Sequence, residues 1–317
     1  METSSKISLQ PYSKVTKLMG NRFEFTVVSG NAEWAESLIH EAIAEVQRIE
    51  RLFTTFNEAS QVNAINKNAG SQPVKVDREV IELIQRSLKI SEITQGAFDI
   101  TYGGIDKSLW NFDTTMTSLP DPQTAKAAVR LINYKNVLID EKASTVFLKY
   151  KGMRIGFGGI GKGYAADRAK KLLQSKGVES GIVNAAGDLT TWGNRPDGHP
   201  WTIGIADPNQ VRKALSTLQI SNMAVATSGN YEKFAIIDGR KYSHTIDPTT
   251  GLPVSGIKSV TIICPSAELA DAMATPVMVM GIRVGLDLIN QLNMVGCIII
   301  DDQDRMYCSD NIKISKP

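Results

Sequence analysis

Cysteine and histidine are scarce: this chain of 317 residues has three of each. Cys264, Cys297 and Cys308 are odd in number and lack metal-ligand spacing, so they read as reduced thiols, most of them packing residues, rather than as a disulfide framework. Three histidines leave little room for a histidine-rich zinc centre. Long apolar runs are missing as well. The strongest stretch, Val277 to Gly281, soon meets Arg283, far short of the roughly 18 residues a membrane-spanning helix needs, and no membrane insertion is expected. Nor does charge of one sign dominate: 35 Lys and Arg face 33 Asp and Glu, a net charge of +2. That balance argues against a basic nucleic-acid surface and against an acidic tail. Met1-Glu2-Thr3 opens the chain without a basic n-region, an apolar h-region or a lipid-attachment cysteine, which makes a cytoplasmic location the expectation.

What is present is the composition of a globular protein. With 42% hydrophobic residues, one large domain or two modest ones bury a sizeable core. Residues 1–15 read as a loose start. Asn21 to Val28 alternates apolar and polar side chains, as a half-buried strand does. Between Asn31 and Phe53, Ala35, Leu38, Ile39, Ala42, Ile43, Val46 and Ile49 recur at helical spacing. Further helices are predicted over Ser60 to Asn66, Arg78 to Glu92, Asp121 to Leu131 and Lys162 to Lys176. Short strands are predicted at Val137–Ile139, Thr145–Leu148 and Met153–Phe157. Runs of helices and runs of strands, without regular βα alternation, point to an α+β fold. No repeat, low-complexity segment or Pro/Ser linker divides residues 16–317, so one compact unit with two lobes is expected.

Three segments carry candidate chemistry. Residues 152–163 hold six glycines, and Gly156, Gly158 and Gly161 satisfy G-x-G-x-x-G between a predicted strand and a predicted helix, the dinucleotide fingerprint. Most of a phosphate-loop pattern is there too, but Gly163 stands where its Ser or Thr would supply a magnesium ligand. A tight turn where backbone crosses backbone explains the loop equally well. In the second segment, Asp271 and Thr275 lie four apart in a predicted helix, so their oxygens project from one face. Such a pair suits a hard cation such as Mg²⁺; alone, a solvated Asp and a core Thr explain it more readily. The third segment, Lys241 to Gly251, reads as a strand running into a tight turn, with His244 at the strand end where a side chain can face a cleft and exchange a proton. His40 and His199 read as structural. Asn184 to Asp188 and Thr227 to Tyr231 are polar turns that could line the same cleft, and Tyr231 and Trp110 suit either ring stacking or core filling.

Together these segments resemble the ApbE-type FAD:protein FMN transferases, from about Met19 to about Gly281 and in the family's order. Gly96-Ala97-Phe98-Asp99-Ile100-Thr101 with Leu109-Trp110 matches its GAFD-and-LW stretch, and Gly158 to Tyr164 its glycine loop. Asn184 to Asp188 is similar to its N-x-G-G-D turn, with Ala186 replacing the first glycine. Ser243 to Gly251 matches S-H-x-I-D-P-x-T-G, and Ala270 to Thr275 matches A-D-A-x-A-T. The resemblance implies mixed sheets with flanking helices in a T-fold-like unit, with FAD as bound substrate and Mg²⁺ against its pyrophosphate. It implies FAD contacts at Met19, Phe56, Ala97, Phe98, Asp99, Lys162 and Thr245. The metal ligands would be the Gly159 carbonyl, Asp271 and Thr275. Such enzymes move FMN from FAD to a Ser or Thr hydroxyl of an acceptor flavoprotein and release AMP; some hydrolyse FAD to FMN and AMP instead. His244 is the expected base, with Asp188 its competitor. Phe56 stands where the family often has Tyr, and Gly156 where many members have Asp. A Rossmann-type oxidoreductase and a non-catalytic flavin binder are the alternatives.

Overall fold

Eight strands form one sheet, and their side-chain alternation decides what covers each face. The computed structural model describes residues 8–105, 117–208, 210–230 and 234–312. In chain order the elements are β1 (Gln10–Leu18), β2 (Asn21–Ser29), α1 (Ala32–Phe53), α2 (Gln61–Lys67), β3 (Val74–Lys75), α3 (Arg78–Ile93), α4 (Pro122–Ala128), β4 (Val137–Asp140) and β5 (Thr145–Leu148). Then come α5 (Gly161–Ser175), β6 (Gly181–Ala185), β7 (Asp188–Trp192), the hairpin β8 (Trp201–Asp207) and β9 (Gln210–Ile220), and β10 (Ala224–Gly229). The remainder is β11 (Phe234–Ile237), β12 (Arg240–Ile246), β13 (Pro253–Ser255), β14 (Ile257–Cys264), α6 (Ala267–Met280), α7 (Ile282–Asn290), β15 (Gly296–Asp301) and β16 (Met306–Cys308).

The large sheet runs β1-β2-β6-β7-β10-β14-β15-β16, and its pairings are antiparallel. Phe23, Phe25, Val183, Ala226, Val260, Ile262 and Ile299 point to one face, where α1, α5 and α6 cover them. Their neighbours Ile182, Leu189, Val225, Ile263 and Ile298 point to the other face, beneath the β8–β9 hairpin with Trp201, Ile203 and Ile205. Period-2 alternation thus builds two cores from one sheet. Helix α1 forms where the sequence predicts it. Asn31 caps it by accepting the Trp34 N–H at 3.0 Å, its apolar stripe is buried, and Thr54 ends it in extended backbone. The result is the mixed-sheet, helix-flanked unit expected, and among the described residues no helix is long and apolar enough to cross a membrane.

Two expectations are corrected. The loose start expected through residue 15 does not hold from Gln10 onward, because Gln10 already pairs with Ser29 in the β1–β2 ladder. Met153–Phe157 is not a strand. Met153, Ile155 and Phe157 are buried as alternation implies, yet Ile155 makes both its main-chain hydrogen bonds with the Asn66 side-chain amide, at 2.7 and 3.0 Å. Only an isolated bridge joins Arg154 to Tyr102. Without a strand before the glycine loop, and with antiparallel pairing throughout the large sheet, the Rossmann context is missing.

Candidate active site

Two left-handed turns sit side by side at one end of the sheet. Met19 and Gly20 join β1 to β2 with φ of 51° and 74°; Ala186 and Gly187 join β6 to β7 with φ of 56° and 100°. Positive φ at both central residues is what a two-residue hairpin of matching twist requires. Phe23 pairs with Ala185, and the Ala186 N–H donates to the Arg22 carbonyl, so the turns are neighbours. The β6–β7 turn delivers Asp188 to the first position of β7, where its side chain is 6% exposed.

The glycine loop closes on itself as α5 begins: the Gly161 N–H donates to the Phe157 carbonyl at 2.7 Å. Phe98 lies against Gly159, and the Met19 methyl lies over Gly161. Gly163 answers why a phosphate-loop hydroxyl is absent. A Cβ there would fall 2.0 Å from the Ala267 carbonyl oxygen and 2.9 Å from Asp271 Cβ, so α5 and α6 touch backbone to backbone. Gly163→Ala is therefore expected to destabilise the fold by about 3 kcal/mol, through overpacking that no rotamer relieves. A thermal melt should show a fall of about 5 °C or more. The control is Gly158→Ala, whose Cβ would meet nothing within 4 Å; an equal fall there would show that the loop, not the helix contact, is at stake.

That close approach lets Asp271 reach the loop. Its Oδ2 accepts the Gly163 N–H at 3.0 Å, and its Oδ1 lies 3.5 Å from Lys162 Nζ. The same ammonium donates to Asp188 Oδ2, and the Thr227 N–H also donates to Asp188. Burial opposes the charge of Lys162, but Asp271 and Asp188 outweigh it and hold the ammonium above the usual lysine range. For Asp188, burial and then the charge of Asp271 raise the carboxyl above its ordinary value against the pull of Lys162. Two buried carboxylates thus share one cation. One turn along α6, Thr275 Oγ1 hydrogen-bonds Ser228 Oγ at 3.1 Å. Asp271 and Thr275 are hard oxygen donors with residual negative charge beside them, and they fit a divalent cation. Among the described residues no cluster of three or more His, Cys, Asp or Glu forms. A cation here would complete its shell from hydroxyl, carbonyl, water or ligand oxygens, which is the habit of Mg²⁺.

The other expected residues differ in their surroundings. Phe98 and Asp99 are buried and Ala97 is half-buried. Asp99 holds its own turn: Oδ1 accepts the Thr101 N–H at 2.8 Å and Oγ–H at 2.6 Å, and Oδ2 accepts the Tyr134 N–H at 2.7 Å. Burial raises its carboxyl above the ordinary range, those bonds notwithstanding. Phe56 is 97% exposed. On β12, Ser243 and Thr245 aim their hydroxyls at Met278, one turn beyond Thr275, at 3.9 and 3.7 Å. His244 points the other way and is exposed. His40 hydrogen-bonds Lys14 on the surface and His199 lies in an exposed loop, both outside the cluster. Thr227 and Ser228, expected in a turn, are strand residues of β10 that hold Asp188 and Thr275. Leu109, Trp110 and Tyr231 lie outside the described residues.

Residues 19–299 match the ApbE family. Over 91% of this chain and 89% of its relative, 32% of residues are identical to an FAD:protein FMN transferase of Klebsiella pneumoniae (strain 342). A Treponema pallidum (strain Nichols) protein of the same description is 30% identical over 96% and 88% of the two chains. The crystal structure of the ApbE protein from Thermotoga maritima superposes with a TM-score of 0.84, at 32% identity over 95% of this chain and 97% of that one. The apo form of Pseudomonas stutzeri flavinyl transferase ApbE gives 0.83 at 28% identity, with 95% of each chain covered. With the match spanning the sheet, the glycine loop and α6, the chain belongs to the ApbE family.

Proposed function

We propose that this protein is an FAD:protein FMN transferase, moving FMN from FAD to a Ser or Thr hydroxyl of an acceptor flavoprotein and releasing AMP. The observation that carries the reading is the Lys162–Asp188–Asp271 cluster, set between the glycine loop and α6 in a chain whose relatives bear that description. Phosphoryl transfer is mainly positioning and charge stabilisation, and the cluster offers both. Lys162, Phe98 and Met19 border the loop where FAD is proposed to bind. Ala97 and Asp99 would contribute chiefly main-chain contacts, since the Asp99 carboxylate is engaged within its turn. Exposed Phe56 offers a ring for stacking, and Thr245 faces the α6 side. Asp271, Thr275 and the Gly159 carbonyl are the proposed Mg²⁺ ligands; the metal would supply positive charge at the pyrophosphate.

The acceptor hydroxyl forms a new bond to the FMN phosphorus, the P–O bond to the AMP phosphate breaks, and AMP departs with that oxygen. His244 is the proposed acceptor of the hydroxyl proton. It is exposed on β12, within reach of an incoming polypeptide; Asp188, which accepts from Lys162 and the Thr227 amide, is the competing candidate. The three free thiols support a reducing, cytoplasmic setting for enzyme and acceptor. Incubation with FAD, Mg²⁺ and a flavoprotein bearing an exposed Thr should yield AMP and a polypeptide heavier by one FMN less one water, read by chromatography and mass spectrometry. Free FMN with no modified polypeptide would make the protein an FAD pyrophosphatase. Retained FAD with no AMP would make it a flavin binder.

A further inference from the structure

Asp167 belongs to none of the expected motif roles, yet it touches the first turn of α6. It lies four residues after Gly163, so the two share one face of α5. Gly163 abuts Ala267 and Asp271 on that face. Asp167 Oδ2 accepts two hydrogen bonds from the same turn, from Ser266 Oγ–H at 2.8 Å and from the Glu268 N–H at 3.0 Å. Ser266 is the N-cap of α6, its Oγ accepting the Leu269 N–H at 3.2 Å. A carboxylate at a helix N-terminus is favoured by the helix dipole and satisfies an N–H with no partner within the helix. From the far side, Arg86 of α3 grips the Glu268 carboxylate with two hydrogen bonds, at 2.6 and 3.1 Å.

We propose that Asp167 is a positioning residue for the metal site: by clamping residues 266–268 it fixes where Asp271, one turn later, stands relative to the glycine loop. This rests on the reading of Asp271 as a metal ligand. One helix carries the loop and the clamp, and the other carries the ligand. Without the clamp, the Gly163 amide, the Gly163–Ala267 contact and the 3.5 Å approach of Lys162 Nζ remain to hold Asp271 from α5, and none of them fixes the first turn of α6 through its N-cap. Outer partners that orient a metal ligand typically change metal affinity by about 10- to 100-fold when removed.

Two readouts decide the matter. In the metal-free protein, amide hydrogen exchange at Gly163 and over residues 267–271 should quicken in Asp167→Ala. In the FAD-cleavage assay, the Mg²⁺ concentration giving half-maximal AMP release should rise about 10-fold or more, while the rate at saturating Mg²⁺ stays within about threefold. Asp167→Asn retains an oxygen that accepts both bonds and should recover most of the shift. Ser266→Ala removes one bond and should give an intermediate one; these two variants carry the test if Asp167→Ala does not fold. Unchanged exchange at Gly163 overturns the proposal without reference to any metal. A lower melting temperature and rate with an unmoved Mg²⁺ requirement also overturns it, leaving a purely structural clamp. A wild type indifferent to Mg²⁺ overturns the metal reading of Asp271 first, and this proposal falls with it.

Discussion

Asp271→Ala is expected to reduce AMP release from FAD by about 10³-fold or more. The Asp271 carboxylate is 8% exposed, one turn from Thr275 on α6, and shares the Lys162 ammonium with Asp188. Removing it takes away the proposed charged metal ligand and leaves Lys162 and Asp188 as a self-compensating pair with little attraction for a second cation. A metal ion contributes several kcal/mol to charge stabilisation in such transfers, and about 4 kcal/mol is a factor of about 10³ in rate. The fold should survive, because the lost partner of the Gly163 N–H costs only about 1–3 kcal/mol. Asp271→Asn separates the two effects, since its amide oxygen still accepts from Gly163 while the charge is gone. Chelator treatment of the wild type should mimic the loss, and added Mg²⁺ should reverse it. AMP release that survives both chelation and Asp271→Ala would end the metal reading.

His244→Ala is expected to lower transfer to an acceptor hydroxyl by about 10²–10⁴-fold, the usual contribution of a general base, with FAD binding almost unchanged. The strand explains why the effect should be confined to chemistry. Ser243 and Thr245, on the opposite side of β12, anchor the segment on Met278, so the strand keeps its hold on α6 when the exposed imidazole is trimmed. A loss in kcat with an unchanged KM for FAD is the signature of a group acting in the transition state. If His244→Ala transfers FMN at the wild-type rate, the base lies elsewhere and Asp188 becomes the next substitution.

Much of this architecture is legible in the residues. The apolar stripe of α1, the strand Thr145–Leu148 and the Asp271/Thr275 spacing on α6 all follow from periodicity. Elements whose partners are remote or polar are the ones that escape. Strand β1 is an edge, and its exposed, mixed residues carry little hydrophobic signal, as edge strands generally do. Met153–Phe157 has the right burial for a strand, but Ile155 is paired by the Asn66 side chain, 89 positions away, and among the described residues the only main-chain bridge is the isolated one between Arg154 and Tyr102. Thr227 and Ser228 read as a turn because they are polar, yet their hydroxyls bond Thr261 and Thr275 from within a strand. Nothing local marks Gly163 as a helix contact or Asp167 as a clamp; both are defined by α6, about a hundred residues further on.

That separation bears on synthesis. Gly163 and Asp271 are 108 positions apart, and strands β6, β7, β10 and β14 of the large sheet lie between them in the chain. Chains emerge from the ribosome amino terminus first, so a nascent chain displays the glycine loop long before it owns the second half of the proposed nucleotide pocket. FAD and its metal would then bind only the finished sheet, and a ligand that binds only the native state stabilises it with the logarithm of its concentration over its dissociation constant. Flavin supply would thereby set how much newly made protein matures, and variants weakened anywhere in the sheet should recover in flavin-rich cells.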